Sequence, residues 1–388
     1  MQKKYSLTVA TIICINAMIG SGVFVAPIAI AQIVGPAGIL SYLFVICAVW
    51  SMALSFARLC TLYPDDGSFY TFSKPWAGHY GGLFFASLYT TGLLIASSVL
   101  LHFAGMYCTT MIPLLSINQW SIIILLCLSV SLLYGVTIAG IWQYVLVAAT
   151  VFPIFVTIIM CLLHGSLNNF VPFAPHGLSA IFDAIKYVIF GFFGFEFSTA
   201  LYSQIEDPEK NVQKALTYSI IFVGLLYFLF ISAIIYGIPA LLLQKATTIS
   251  SAFINLFPHY QWISDIMNIS IISATIGTIH AMMLALTVLT RKLFALASNN
   301  CFEKACPFNI RSKESFWIGL ITICMLIIYK IFNIMDQMLA IAAVAIVVSY
   351  ISAIITVIIK EKSYINKCIA LCGITTGLTI VYFALKSL

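Results

Sequence analysis

Glu196 is the only acidic residue near the centre of any long apolar run in this 388-residue chain. It lies in Phe190-Gly191-Phe192-Phe193-Gly194-Phe195-Glu196-Phe197, where two glycines permit unwinding and the phenylalanines offer flat apolar walls. A charge at bilayer depth costs at least about 2.5–3.5 kcal/mol, so such a residue faces a cavity or a partner. Proton titration, gating and attraction of a cationic substrate are all open to it. So is a structural hydrogen bond between helices. The second stretch with chemical potential is Ile19-Gly20-Ser21-Gly22-Val23-Phe24, in the middle of the apolar run Leu7–Ile33. Each glycine costs about 1 kcal/mol in a helix interior. Two of them around a serine predict a helix broken at membrane depth, although small residues also serve close helix packing. Backbone groups freed there must be buried in protein or line a cavity.

The two breaks offer opposite chemistry. A half-helix starting near Gly22 presents unsatisfied N–H groups and positive partial charge, suited to a carboxylate, and Ser21 adds a donor. Carbonyls left free near Met18 and Phe190 suit an ammonium group. One broken pair can therefore hold both ends of a zwitterion, which favours an α-amino acid over a sugar or an inorganic ion.

The elements that must position these residues are membrane helices. Apolar residues make up 62% of the chain and charged residues 8%, against about 25% charged in soluble proteins. The net charge of +6 resides in loops between spans, which fits membrane orientation and not nucleic acid. The run after Lys3 and Lys4 is about twice the length of a signal-peptide core, so it is an uncleaved first span. Most cysteines are scattered in apolar runs. Cys301 and Cys306 share a loop without a second pair or a histidine, so no metal or cofactor is expected. Hydropathy and breakers give about eleven spans: 7–33, a second to about Tyr63, then 81–112, 119–136, 141–163, 178–204, 215–243, 262–296, 316–332, 337–359 and 365–385. The polar segments 64–78, 244–261 and 298–314 and the charged run Glu206–Lys210 are expected as loops.

With the N-terminus in the cytoplasm, all 18 Lys and Arg fall inside except Lys245, Lys330, Lys386 and Lys186, the last near the outer end of span six. Asp183 is expected to pair with Lys186 on one helix face. Spans one and six are both broken by glycines, spans three and eight both exceed thirty residues, and the loops before three and eight are both long. Five spans per half inverts the second half. This predicts an inverted repeat, residues 7–163 and 178–359, with an added helix at 365–385 and a site at the midplane.

The ordered set Ile19-Gly20-Ser21-Gly22-Val23-Phe24, Gly35-Pro36-Ala37-Gly38, Tyr63-Pro64-x-x-Gly67-Ser68-x-Tyr70, Gly194-Phe195-Glu196 and Glu206-Asp207-Pro208-Glu209-Lys210-Asn211 resembles the amino acid–polyamine–organocation transporters. Among them it looks most like the arginine/agmatine-type antiporters. The resemblance implies an all-α membrane protein of the five-plus-five, LeuT-like fold with helices 1 and 6 discontinuous, working by alternating access in the inner or plasma membrane. It implies that Ser21 and the Gly22 amide bind the substrate carboxylate. The carbonyls of Met18, Phe190 and Phe193 bind the amino group, with Ile19, Gly20, Gly191 and Gly194 completing the breaks. Phe190 stands where those antiporters have a tryptophan that closes over substrate, and Glu196 matches their gate glutamate. Ala17 replaces an asparagine, Met282 replaces a second tryptophan that stacks on guanidinium, and no twelfth span follows. These departures point away from arginine as the cargo.

Thr150 stands three residues before Pro153 where proton-coupled members commonly have lysine, which favours exchange over proton symport. Thr287 and Thr290 are not adjacent, which disfavours sodium coupling. His280, mid-span in the eighth helix, either titrates or contacts substrate, or is a neutral hydrogen-bonded histidine; His102 is expected to pack. An intramembrane enzyme is the alternative from another class, but Ser21 lacks a glycine two residues before it and no histidine pair has metal-binding spacing. The expectation is therefore a non-enzymatic amino acid exchanger, with a proton-coupled symporter of the same fold as the alternative. Its partners are an amino acid or amine and the lipid bilayer, and a homodimer is left open.

Overall fold

The computed structural model describes residues 4–65, 68–246, 249–256, 261–297, 310–331 and 335–386. Cys301, Cys306 and the Asp66-Gly67 turn lie outside them, as do the side chains of Lys186 and Phe190. The described residues are helical almost throughout. Their one isolated bridge joins Tyr5 to Ile205.

The first span is two helices, α1 (Leu7–Met18) and α2 (Gly22–Ile33), inclined at 53° to each other. Ser6 caps α1 by accepting from the Val9 N–H. The helix stops at Gly20-Ser21, where the sequence places its break. After a turn at Gly35–Ala37 come α3 (Gly38–Leu62) and the long α4 (Ser68–Met111). The polar segment 64–78 is not simply a loop. Ser68–Ala77 is helical and joins the third span through Gly78, whose φ of 72° bends the chain. Next are α5 (Ile117–Leu133), opened by a Ser116–Gln119 capping box, and α6 (Val136–His164).

The sixth span is α7 (Ala180–Ile189), a 3-10 turn (Phe190–Phe192), an extended Phe193, and a short α8 (Phe197–Ala200). The seventh, α9 (Pro208–Gly237), corrects the expected bounds at both ends. Proline at its first turn needs no N–H partner there, so the charged run Pro208-Glu209-Lys210 opens the helix. Pro239 cannot continue the ladder, so the helix ends six residues before Leu243. The segment after it also folds, into α10 (Ala240–Lys245) and α11 (Ile249–Leu256). The remaining spans are α12 (Gln261–Ala297), α13 (Ile310–Ile331), α14 (Met335–Lys360) and α15 (Tyr364–Lys386). Of these helices, α13 starts about a turn and a half before its expected span, so part of the basic segment 298–314 is helix.

Among the described residues, seven helices are long and apolar enough to cross a membrane, and the bent α1–α2 pair makes an eighth. The fold is an all-α integral membrane protein. Its core gathers around the two interrupted spans: Ile13, Cys14, Phe192 and Phe197 are fully or almost fully buried. Leu126, Phe152, Leu163 and Ile323, on outer faces, are at least half exposed, as a lipid-facing surface requires.

Candidate functional site

The two breaks face each other across a narrow gap. A Cβ added to Gly22 would point at the Gly191 backbone, with its N at 3.9 Å. Gly194 has φ of +104°, a region that favours glycine, and a Cβ there would lie 2.6 Å from the Ala17 Cβ. The second break therefore approaches the first as closely as backbone allows, and only glycine fits.

A cavity of about 140 Å³ opens at this junction. Its floor is Met18, Gly20, Ser21 and Gly22 from the first break and Gly191, Phe193, Gly194 and Glu196 from the second. Met282 of α12 and residues of α4 and α14 complete the wall. With Ala17, ten of the residues singled out in the sequence thus meet at one cavity. Ile19 does not line it: its side chain is buried in the core, and its carbonyl accepts from Thr278 at 3.3 Å. Phe190 opens the 3-10 turn beside the cavity.

Ser21 precedes the first turn of α2 and makes no capping hydrogen bond with its side chain. The first N–H groups of a helix have no intrahelical acceptor. This end of the cavity is a donor pole. Carbonyls of the first break are less available than the sequence suggests. Met18 O accepts from the Gly20 N–H at 2.9 Å and from the Tyr227 hydroxyl at 2.9 Å. The same Tyr227 hydroxyl also reaches Gly191 O at 3.0 Å. Tyr227, on α9, is a buried tie between the two breaks. Thr278 Oγ1 approaches the carbonyls of Asn16 at 2.8 Å, Ala274 at 3.1 Å and Ile19 at 3.3 Å.

Glu196 is fully buried. One carboxylate oxygen accepts from the Tyr89 hydroxyl, the other from the Gly194 N–H at 3.2 Å. Tyr350 is fully buried beside it. The carboxylate is held as a strut across the second break, with its aromatic neighbours on α4 and α14.

Below the cavity, towards the end of the bundle that carries Tyr5, lies an aromatic plug. Phe69 stacks on Tyr89 with ring centroids 3.8 Å apart and on Tyr350 at 5.9 Å. Phe56 meets Phe195 and Tyr350 edge-on at 5.6 and 5.5 Å. Ion pairs close the same end: Arg58 with Glu361, Lys292 with Asp65 at 2.9 Å, and Arg291 with Glu314 at 3.9 Å. The Arg58 guanidinium holds the Glu361 carboxyl down at about 2. The N-terminal segment is fastened there too, Tyr5 N–H donating to Gln204 O at 2.7 Å and Glu206 N–H to Tyr5 O at 2.9 Å.

His280 does not face the cavity. It sits in a fully buried chain: Asn16 Nδ2 donates to Gln143 Oε1 at 2.6 Å, Gln143 Nε2 bonds His280 Nδ1 at 2.8 Å, and His280 Nε2 bonds Ser131 at 3.0 Å. Gln143 Nε2 can only donate, so Nδ1 accepts and Nε2 carries the proton. Both ring nitrogens are thus engaged by side chains of α5 and α6. Thr150 returns its hydroxyl to Leu146 O at 2.8 Å within α6. His102 packs against Tyr329, centroids 6.0 Å apart. No group of three or more His, Cys, Asp or Glu suited to a metal ion occurs among the described residues.

A broken-helix pair around a closed-ended cavity is a carrier's architecture, and comparison with known proteins assigns it. The amino acid permease family matches residues 5–385. The chain belongs to the amino acid permease family. It is 25% identical to the gamma-aminobutyric acid permease of Escherichia coli (strain K12) over 307 residues, covering 74% of this chain and 64% of that permease. It is 23% identical to the branched-chain amino acid permease BcaP of Bacillus subtilis (strain 168), covering 74% and 65%. To the DL-alanine permease SerP2 of Lactococcus lactis subsp. cremoris (strain MG1363) it is 22% identical, covering 82% and 71%. The matched region is thus about two thirds of the length of the first two relatives. The relatives are named permeases, that is, transporters.

Proposed function

We propose that this permease is a secondary carrier that exchanges amino acids across the plasma membrane by alternating access. One observation carries the reading: two interrupted helices face each other across a cavity lined by Ser21 and Gly22 from the first break and by Gly191, Phe193 and Glu196 from the second. The substrate carboxylate sits on the N–H groups that open α2. The ammonium group turns towards the second break, where Glu196 supplies negative charge and the backbone of Phe190 and Phe193 supplies carbonyls. Met18 contributes contact, since its carbonyl is already engaged.

The two halves, residues 7–163 and 178–359, act as an inverted repeat, with the N-terminus in the cytoplasm as the distribution of Lys and Arg favours. The aromatic plug and ion pairs then shut the cytoplasmic side, and the cavity belongs to the outward path. Rocking the broken helices against α4 and α14 separates Glu196 from Tyr89 and opens the plug. Exchange is favoured over proton symport because Thr150, in place of a basic residue, spends its hydroxyl on its own helix.

The test is counterflow in proteoliposomes of the full chain. Vesicles preloaded with unlabelled amino acid should take up labelled amino acid faster than empty ones, without current and without an imposed pH gradient. Uptake that needs an inward proton gradient and ignores the internal amino acid would replace exchange with symport. Ionic current would replace the carrier with a channel.

A further inference from the structure

The polarity of the cavity is segregated, and this names a cargo. The inference rests on the carrier reading above. Every polar group on the wall lies at or below the breaks: Ser21, Thr278, Glu196 and Tyr350. Two of these are spent on the protein itself, Thr278 on helix carbonyls and Glu196 on Tyr89 and Gly194. The opposite wall, from α4, α12 and α14, includes Leu93, Ala96, Leu100, Met282, Ala342 and Ile346. It holds no charge, amide or hydroxyl. A substrate whose zwitterionic head occupies the breaks must point its remaining atoms at this wall.

We propose that the cargo is a neutral α-amino acid with an aliphatic side chain, of which valine, leucine and isoleucine fit best. A guanidinium or ammonium on the side chain would be stripped of water with no acceptor facing it. GABA has its two charges separated by three methylenes, so with its carboxylate on Ser21 and Gly22 its ammonium is carried away from the second break. The cavity, at about 140 Å³, is close to the roughly 150 Å³ of an apolar protein cavity that admits benzene. Met282 matters here because an unbranched thioether moulds to an alkyl chain.

Ala96 and Ala342 set the size of the pocket, since each presents only a methyl group. The experiment is counterflow of labelled leucine in proteoliposomes, with unlabelled leucine, isoleucine, valine, alanine, arginine, lysine or GABA inside, for wild type, Ala342→Leu and Ala96→Val. In the wild type, leucine, isoleucine and valine should drive exchange at least about 100-fold more effectively than arginine, lysine or GABA. Each enlarged variant should lower the leucine-to-alanine preference about tenfold or more while still exchanging alanine. A folding defect would lower both substrates together, and the milder Ala96→Val keeps the ratio measurable if Ala342→Leu does not fold. Exchange of arginine, lysine or GABA as effective as that of leucine would overturn the inference and leave the carrier intact. So would an unmoved preference ratio in a folded variant. Failure of every amino acid to exchange would overturn the carrier reading itself.

Discussion

The two helix breaks look equivalent in sequence, and their surroundings make them opposites. The first, at Gly20–Gly22, is open: Ser21 makes no side-chain cap, and of the opening N–H groups of α2 that of Phe24 turns back to Ser21 O at 3.1 Å, ahead of Gly22 and Val23. The second, at Phe193–Glu196, is tied: Gly194 is pinned against Ala17 and Glu196 is bound at both oxygens. An open break can receive a ligand without first losing a bond. A tied break must exchange protein contacts for new ones, so it is the part whose occupancy can be felt by α4 and α14. Tyr227, bonded to both, keeps the two in register.

That asymmetry can be broken most severely at Gly194. Gly194→Ala forces a left-handed conformation onto alanine, costing about 1–3 kcal/mol, and drives a methyl into Ala17. Counterflow should fall by about 100-fold or more, with a lowered melting temperature. Tyr227→Phe is next. It removes the one hydroxyl shared by Met18 O and Gly191 O; Met18 O keeps the Gly20 N–H, so Gly191 O is the carbonyl left short of a donor, at about 1–3 kcal/mol, and exchange should slow roughly tenfold to a hundredfold. Glu196→Gln keeps the shape of the strut but offers one acceptor where there were two. It should reduce the maximal rate about tenfold with little change in half-saturation.

Ser21→Ala tests the open side. One donor is lost and nothing structural depends on it, so half-saturation should rise about twofold to tenfold at unchanged maximal rate. The smallest effect is expected at the closed end. Glu361 titrates near 2 in the fold against an ordinary 4.5 because Arg58 favours its charged form. The stabilisation is therefore fully present above about 4.5 and is lost as pH falls towards 2. Melting curves of wild type and Glu361→Gln should differ by a constant small amount from pH 8 to about pH 5, and the difference should shrink progressively below about 4.5 and vanish as pH approaches 2.

Much of the site was legible in the sequence for a physical reason. Glycine pairs inside apolar runs are expensive, so Gly20-Ser21-Gly22 and Gly191–Gly194 announce themselves, and so does a lone carboxylate such as Glu196. Helix ends were less legible where two signals conflict. Charges suggested a loop at Pro208–Lys210, whereas a proline at the first turn starts a helix. Tyr89, Tyr227 and Tyr350 were missed altogether. A tyrosine in an apolar helix carries no mark of which distant carbonyl or carboxylate its hydroxyl meets, since that depends on the approach of helices far apart in sequence. The same holds for the Asn16–Gln143–His280–Ser131 chain, where only His280 stood out by residue type.

The central claim is that an amino acid occupies the gap between the breaks. It is tested most directly by equilibrium binding of labelled leucine to purified wild type and Gly22→Leu. The added side chain grows from a Cβ that already lies 3.9 Å from the Gly191 N into the gap between the breaks, so it should abolish saturable binding in protein that circular dichroism shows to be folded. Wild-type affinity in Gly22→Leu would contradict the account.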